Sequence, residues 1–171
     1  NPALVDARIE RVVVHKISKI WEFHFVFSNI LPIEIFLELK KGLSEEFSKT
    51  GNKAVFEIKA LSQEFSNQLL QSYYREAFSE GPCSSQGFKS LYQNLQVRAE
   101  GNQLFIEGSE AIDKEHFKKN HLPNLAKQLE KFGFPTFNCQ VEKNDVLTQE
   151  QEEAFHAENE PVSYTHLRAH E

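Results

Sequence analysis

The sequence predicts an α+β fold, two strand-strand-helix-strand units joined by helices. Three observations predict it. Four rings alternate along Trp21-Glu22-Phe23-His24-Phe25-Val26-Phe27, the period of two that puts them on one side of a strand. Ile33, Phe36, Leu37, Leu43 and Phe47 then keep helical spacing. The same order of patterns returns in the second half, as a repeat of organisation and not of sequence identity.

In the first unit, Arg8 to Lys16 holds Ile9, Val12, Val13 and Val14, β-branched residues that favour a strand. Ser18 and Lys19 suit the hairpin turn into the aromatic strand. Pro32 opens the helix, where a missing N–H costs little, and Gly51 with Asn52 closes it. Ala54, Phe56 and Ile58 alternate with Val55, Glu57 and Lys59 as a half-buried strand.

Between the units, Ser62 is the expected N-cap of a helix carrying Phe65, Leu69, Tyr73 and Ala77, stopped by Gly81-Pro82. A shorter helix follows with Phe88, Leu91, Tyr92 and Leu95 at helical spacing. In the second unit, Leu95–Glu100, Gly101-Asn102 and Gln103–Glu107 form a hairpin signal. A helical stretch from Ser109 to Phe132 precedes a last strand, Thr136 to Glu142. Within that stretch Lys118 falls in phase with Leu122, Leu125, Leu129 and Phe132, and burying it would be costly. A break near Asn120 to Pro123 resolves the conflict, with Asn120 capping a new helix and Pro123 in its first turn.

Composition narrows the function. The 15 Phe, 4 Tyr and 1 Trp can build a core, at about 1.5–3 kcal/mol per buried ring. The 2 cysteines are too few for a disulfide-framed fold or a closed zinc site. No apolar run approaches the ~18 residues of a membrane helix, and no signal peptide opens the chain, so the expectation is a soluble, intracellular protein. With 0 Met in 171 residues, the chain reads as an excised piece. The net charge of -6 sits in residues 141–160, and residues 1–140 are formally neutral, which does not suit a protein that lives by gripping phosphates. Residues 1–145 read as one α+β domain and 146–160 as an acidic helix that starts a linker, opened by a capping box at Thr148. Residues 161–171 read as a non-native tail of vector origin.

Few motifs carry chemistry. His116 and His121, five apart on a helix, diverge by roughly 140°. No C-x-x-C, H-E-x-x-H, P-loop, G-x-G-x-x-G or G-x-x-G occurs. The small residues around Cys83 could form a nucleophile loop, but a helix-to-helix turn explains them more cheaply. Glu22 and His24 share the strand face opposite the rings, an acid–base pair for a hydrolase or, more cheaply, a solvated face. Lys114, Lys118, Lys119, Lys127 and Lys131 are the basic cluster, interrupted by Asp113, Glu115 and Glu130. In Phe132-Gly133-Phe134-Pro135-Thr136-Phe137, Gly133 is the expected helix C′ residue. Phe134, Pro135 and Phe137 are then candidates for partner binding, with Phe134 an exposed aromatic held between Gly133 and Pro135.

Trp21–Leu37 (WEFHFVFSNILPIEIFL), Gly101–Glu107 (GNQLFIE) and Phe132–Pro135 (FGFP), in this order, carry a family likeness. Over Leu4 to Glu160 the chain resembles the N-terminal region of the PolC-type DNA polymerase III alpha subunit of low-GC Gram-positive bacteria. The resemblance implies a cytoplasmic, non-catalytic piece of a DNA-directed DNA polymerase whose exonuclease and polymerase domains lie elsewhere. It implies a truncated KH-like fold, similar to the polymerase-binding domain of the clamp-loader tau subunit. It also implies docking to a replisome protein such as tau or another replication factor, with DNA touched only indirectly or weakly and no membrane. The alternative is nucleic-acid binding through the basic helix 114–131. No cofactor or metal is expected in this chain; Mg2+, with Zn2+ or Mn2+, belongs to the other domains of such a polymerase.

Overall fold

The computed structural model describes residues 2–108 and 114–143, except the side chains of Ala3, Pro82, Phe88, Lys114 and Lys143. The acidic helix at Thr148 and the tail lie outside the described residues. Among the described residues, six strands and five α-helices follow in the order β1 (Arg8–His15), β2 (Ile20–Asn29), α1 (Ile33–Ser48), β3 (Lys53–Ser62), α2 (Asn67–Glu76), α3 (Gln86–Tyr92), β4 (Gln96–Glu100), β5 (Gln103–Gly108), α4 (Lys114–Asn120), α5 (Leu122–Lys131) and β6 (Asn138–Lys143). The architecture is α+β with two three-stranded sheets, ordered β1-β2-β3 and β4-β5-β6.

The organisational repeat extends to strand direction. β1 pairs antiparallel with β2 and β2 parallel with β3, while β4 pairs antiparallel with β5 and β5 parallel with β6. Each unit is thus a hairpin whose second strand crosses over through helix to a parallel third. Lys19 in the first hairpin turn and Gly101 in the second both have positive φ, 56° and 59°.

One core joins the units. The ring face of β2 supplies Phe23, Phe25 and Phe27, β3 adds Ile58 and Ala60, and β5 adds Leu104 and Ile106. Phe36 of α1 meets both Tyr73 of α2 and Phe132, at centroid distances of 5.2 and 5.1 Å. The buried tyrosines satisfy their hydroxyls on backbone: Tyr73 donates to the Leu31 carbonyl at 2.7 Å and Tyr74 to the Tyr92 carbonyl at 2.6 Å. Burial, foremost, pushes both phenols well above their usual range. Trp21 is only half-buried, against Phe47 at 5.4 Å, because it pairs with Val14 and Ala54 near the sheet's open end.

Several expectations are corrected. Ser62 ends β3, and the N-cap of α2 is Ser66, whose hydroxyl accepts from the Leu69 N–H at 3.1 Å. The buried stripe is Leu70, Tyr73, Tyr74 and Ala77, with Phe65 and Leu69 only partly buried. In α3, Tyr92 is buried but Leu91 is exposed. The helix break falls where Lys118 demands it, and that side chain is exposed. However, Asn120 ends α4, and His121 occupies the N-cap of α5 without a side-chain capping bond.

β4 lies at a sheet edge, and α2 satisfies its free side. Gln71 donates to the Leu95 carbonyl at 2.9 Å and accepts from the Val97 N–H at 2.8 Å. Asn67 accepts from the Ala99 N–H at 3.0 Å.

Candidate functional site

Three groups singled out in the sequence can be placed. The first is the polar face of β2. Register aligns Arg11, His24 and Glu57 across the three strands of the first sheet. His24, with a side chain 14% exposed, sets Nε2 2.6 Å from Glu22 Oε1 and Nδ1 3.4 Å from Glu57 Oε2. His15 Nε2 reaches the other Glu22 oxygen at 3.3 Å, and Lys131 of α5 approaches Glu57 at 3.8 Å. With the Nε2 proton donated to Glu22, Arg11 Nη2 at 3.2 Å is a neighbour of that ring and not its donor.

These groups spend their polar atoms on one another, as a structural lattice does. Partial burial pushes the Glu22 carboxyl up, but hydrogen bonds from His15 and His24 reverse this and hold it below its usual value. A depressed folded value contributes stability above the unfolded carboxylate range, and that contribution is lost as pH falls through the folded value. Glu22→Gln should therefore melt lower than the parent at pH 6, with the gap narrowing as pH falls below the ordinary carboxylate range. Thermal melts across that window check it; a constant gap refutes the assignment.

The second group is the turn after α5. Gly133, φ 105°, is the C′ residue as the sequence predicts. Its N–H donates to the Glu130 carbonyl at 3.0 Å and the Phe134 N–H to the Leu129 carbonyl at 3.2 Å, the two bonds of a Schellman motif. This overturns the expected exposure of Phe134. Phe134 is 2% and Phe137 5% exposed, and Pro135 is half-buried. Phe134 packs on Tyr73 at 5.2 Å and Phe65 at 5.0 Å. The available signal was the position itself, since a Schellman C″ residue commonly turns back onto its own helix.

The third group is basic. Lys118 and Lys119 stand exposed at the end of α4, Lys127 and Lys131 exposed on α5, and Lys114 begins α4. The break at His121 divides them, so they form no single helix stripe. It also brings the rings of His116 and His121 to 5.3 Å, where an unbroken helix would part them. Desolvation, then the neighbouring His116, holds His121 below its usual value. Among the described residues no group of three or more His, Cys, Asp or Glu is placed to hold a metal ion. Cys83 is buried, and desolvation pushes its thiol up, away from the thiolate a nucleophile needs.

Sequence reasoning missed two surfaces. A cleft of about 870 Å³ runs between α1, the β3 edge, the end of α2 and α5, past Leu37, Lys40, Phe56 and Lys131. Lys40 crosses its wall to Glu76 at 2.7 Å. The other is the apolar face of β1. Ile9, Val12 and Val14 pair with Phe25, Phe23 and Trp21, so they continue the ring face of β2, yet they are 59%, 40% and 42% exposed. Among the described residues no helix is long and apolar enough to cross a membrane.

The family model described as DNA polymerase III polC-type N-terminus II matches residues 72–163, and that described as N-terminus I matches residues 1–58. The chain is similar to the DNA polymerase III PolC-type of Streptococcus pneumoniae serotype 4 (strain TIGR4), 96% identical over 158 residues, 92% of this chain and 11% of that protein. The Streptococcus sanguinis protein of the same name is 60% identical over 162 residues, 95% of this chain and 11% of its own length. That of Streptococcus suis is 44% identical over 160 residues, again 11% of its length. The chain thus spans about a ninth of these curated relatives. No solved structure matches.

Proposed function

Because the chain belongs to the family of PolC-type DNA polymerase III N-terminal regions, we propose that it is a non-catalytic docking module of a replicative polymerase. On this reading it holds a cytoplasmic replisome protein, such as the clamp-loader tau subunit, and leaves nucleotide transfer and exonuclease chemistry to other domains. The truncated KH-like arrangement belongs to the same reading. The observation that carries it is the uncovered apolar face of β1. The ring face of the first sheet is covered over β2 and β3 and continues bare onto Ile9, Val12 and Val14. A patch built like core but left open suits a partner surface.

The direct test mixes this chain with purified replisome proteins, one at a time, and with single-stranded DNA. Capture of one protein is expected, with affinity changing less than about tenfold between 50 and 200 mM salt. DNA binding through Lys114, Lys118, Lys119, Lys127 and Lys131 would instead lose roughly 10³–10⁵ over that range for six to ten phosphate contacts. The same preparation should neither extend primers nor digest DNA with Mg2+ or Mn2+. Salt-sensitive DNA binding without protein capture would replace docking with the nucleic-acid reading.

A further inference from the structure

We propose that the outer edge of β1 is the docking site, and that it takes an extended, acidic peptide strand of the partner; this rests on the docking reading above. Among the described residues β1 has one neighbour, β2, so alternate backbone N–H and C=O groups face outward. β4 is the equivalent strand of the second unit, and there Gln71 and Asn67 occupy that edge. Among the described residues no helix side chain does this for β1. The register is regular from Arg11 to His15, and the bulge between Ile9 and Arg11 ends it. Five consecutive residues can thus extend the ladder. The edge of β3 is less open, because the turn at Gly133 lies against Ala60 and Ile58.

The side chains define the occupant. Val12 and Val14 present an apolar face to alternate residues of an added strand, the pattern by which strand addition reads its ligand. Residues 8–19 carry Arg8, Arg11, Lys16 and Lys19 against Glu10, which favours acidic residues at the remaining positions. β-Branched aliphatic side chains offer no stacking platform for bases, so the same charge does not select single-stranded DNA.

The test uses this chain and three fluorescein-labelled probes: a decapeptide alternating Val and Glu, one with five Val followed by five Glu, and a ten-nucleotide oligothymidine. The alternating peptide should bind at least tenfold more tightly than the block peptide, and more tightly than the oligonucleotide. It should also slow amide exchange in residues 11–15. Val12→Glu, at an exposed position, should weaken it at least tenfold with the melting temperature held. Should that variant melt lower, the double variant Arg8→Glu and Lys16→Glu serves instead. Equal binding of the two peptides, tighter binding of the oligonucleotide, or unchanged exchange in β1 overturns the proposal. If a replisome protein binds the parent and Val12→Glu equally, docking stands and this face is wrong. If the alternating peptide binds but no replisome protein does, the face stands and the docking reading falls.

Discussion

Phe134→Ala is expected to destabilise the fold by about 3–5 kcal/mol, the usual cost of emptying a Phe site in a packed core. Phe134 lies among Tyr73, Phe65 and Phe137, at centroid distances of 5.2, 5.0 and 6.3 Å. Its loss strips an edge-to-face partner from two of them as well as apolar area. Collapse into the cavity is opposed on both sides, because Tyr73 is tied by its hydroxyl to Leu31 and the Phe134 backbone is tied to Leu129. A thermal melt should show a fall of roughly 10 °C or more. A shift within 2 °C would put the ring back on the surface, where the sequence alone placed it.

Gly133→Ala should cost about 2–5 kcal/mol for a different reason. A φ of 105° lies in the left-handed region, which L side chains pay about 1–2 kcal/mol to enter. The new Cβ would also stand 3.3 Å from Ala60 Cβ and 3.4 Å from Ile58 Cγ2, adding overpacking of about 1–3 kcal/mol. The turn cannot relax freely, since the N–H groups of Gly133 and Phe134 are both engaged on α5. The midpoint of urea unfolding should fall with its slope unchanged. An unchanged midpoint for Gly133→Ala would refute this account.

Most of the element order was legible in the sequence, because alternation and helical spacing report which side of an element is buried. The rings of β2, both hairpin turns and the break forced by Lys118 are of this kind. What was not legible depends on neighbours distant in sequence. Ser62 reads as a cap, but the pairing of Asn29 with Ser62 carries β3 through it, and α2 starts later, at Ser66. Trp21 alternates with buried rings, yet its place in the sheet leaves it half-covered. His116 and His121 diverge on an ideal helix and meet only because the break reorients the second. The candidate site divided in the same way. Glu22 and His24 were placed on the correct face, but their pairing with His15 and Glu57 requires strands β1 and β3 in register. The bare face of β1 was legible as apolar and not as bare, since exposure depends on where α1 stops covering the sheet.

The bonds from Gln71 and Asn67 tie the opening of β4 to that of α2. Edge-strand amides ordinarily exchange through small local fluctuations, without disturbing the rest of a sheet. Val97 and Ala99 cannot, because their N–H groups end on side chains carried by a helix whose other face holds Leu70, Tyr73 and Tyr74 in the core. To release either amide the chain must swing a side chain off the strand or lift the helix. β4 and α2 therefore belong to one cooperative opening unit, whereas β1, with no such tether among the described residues, can fray and re-form while the core stays closed.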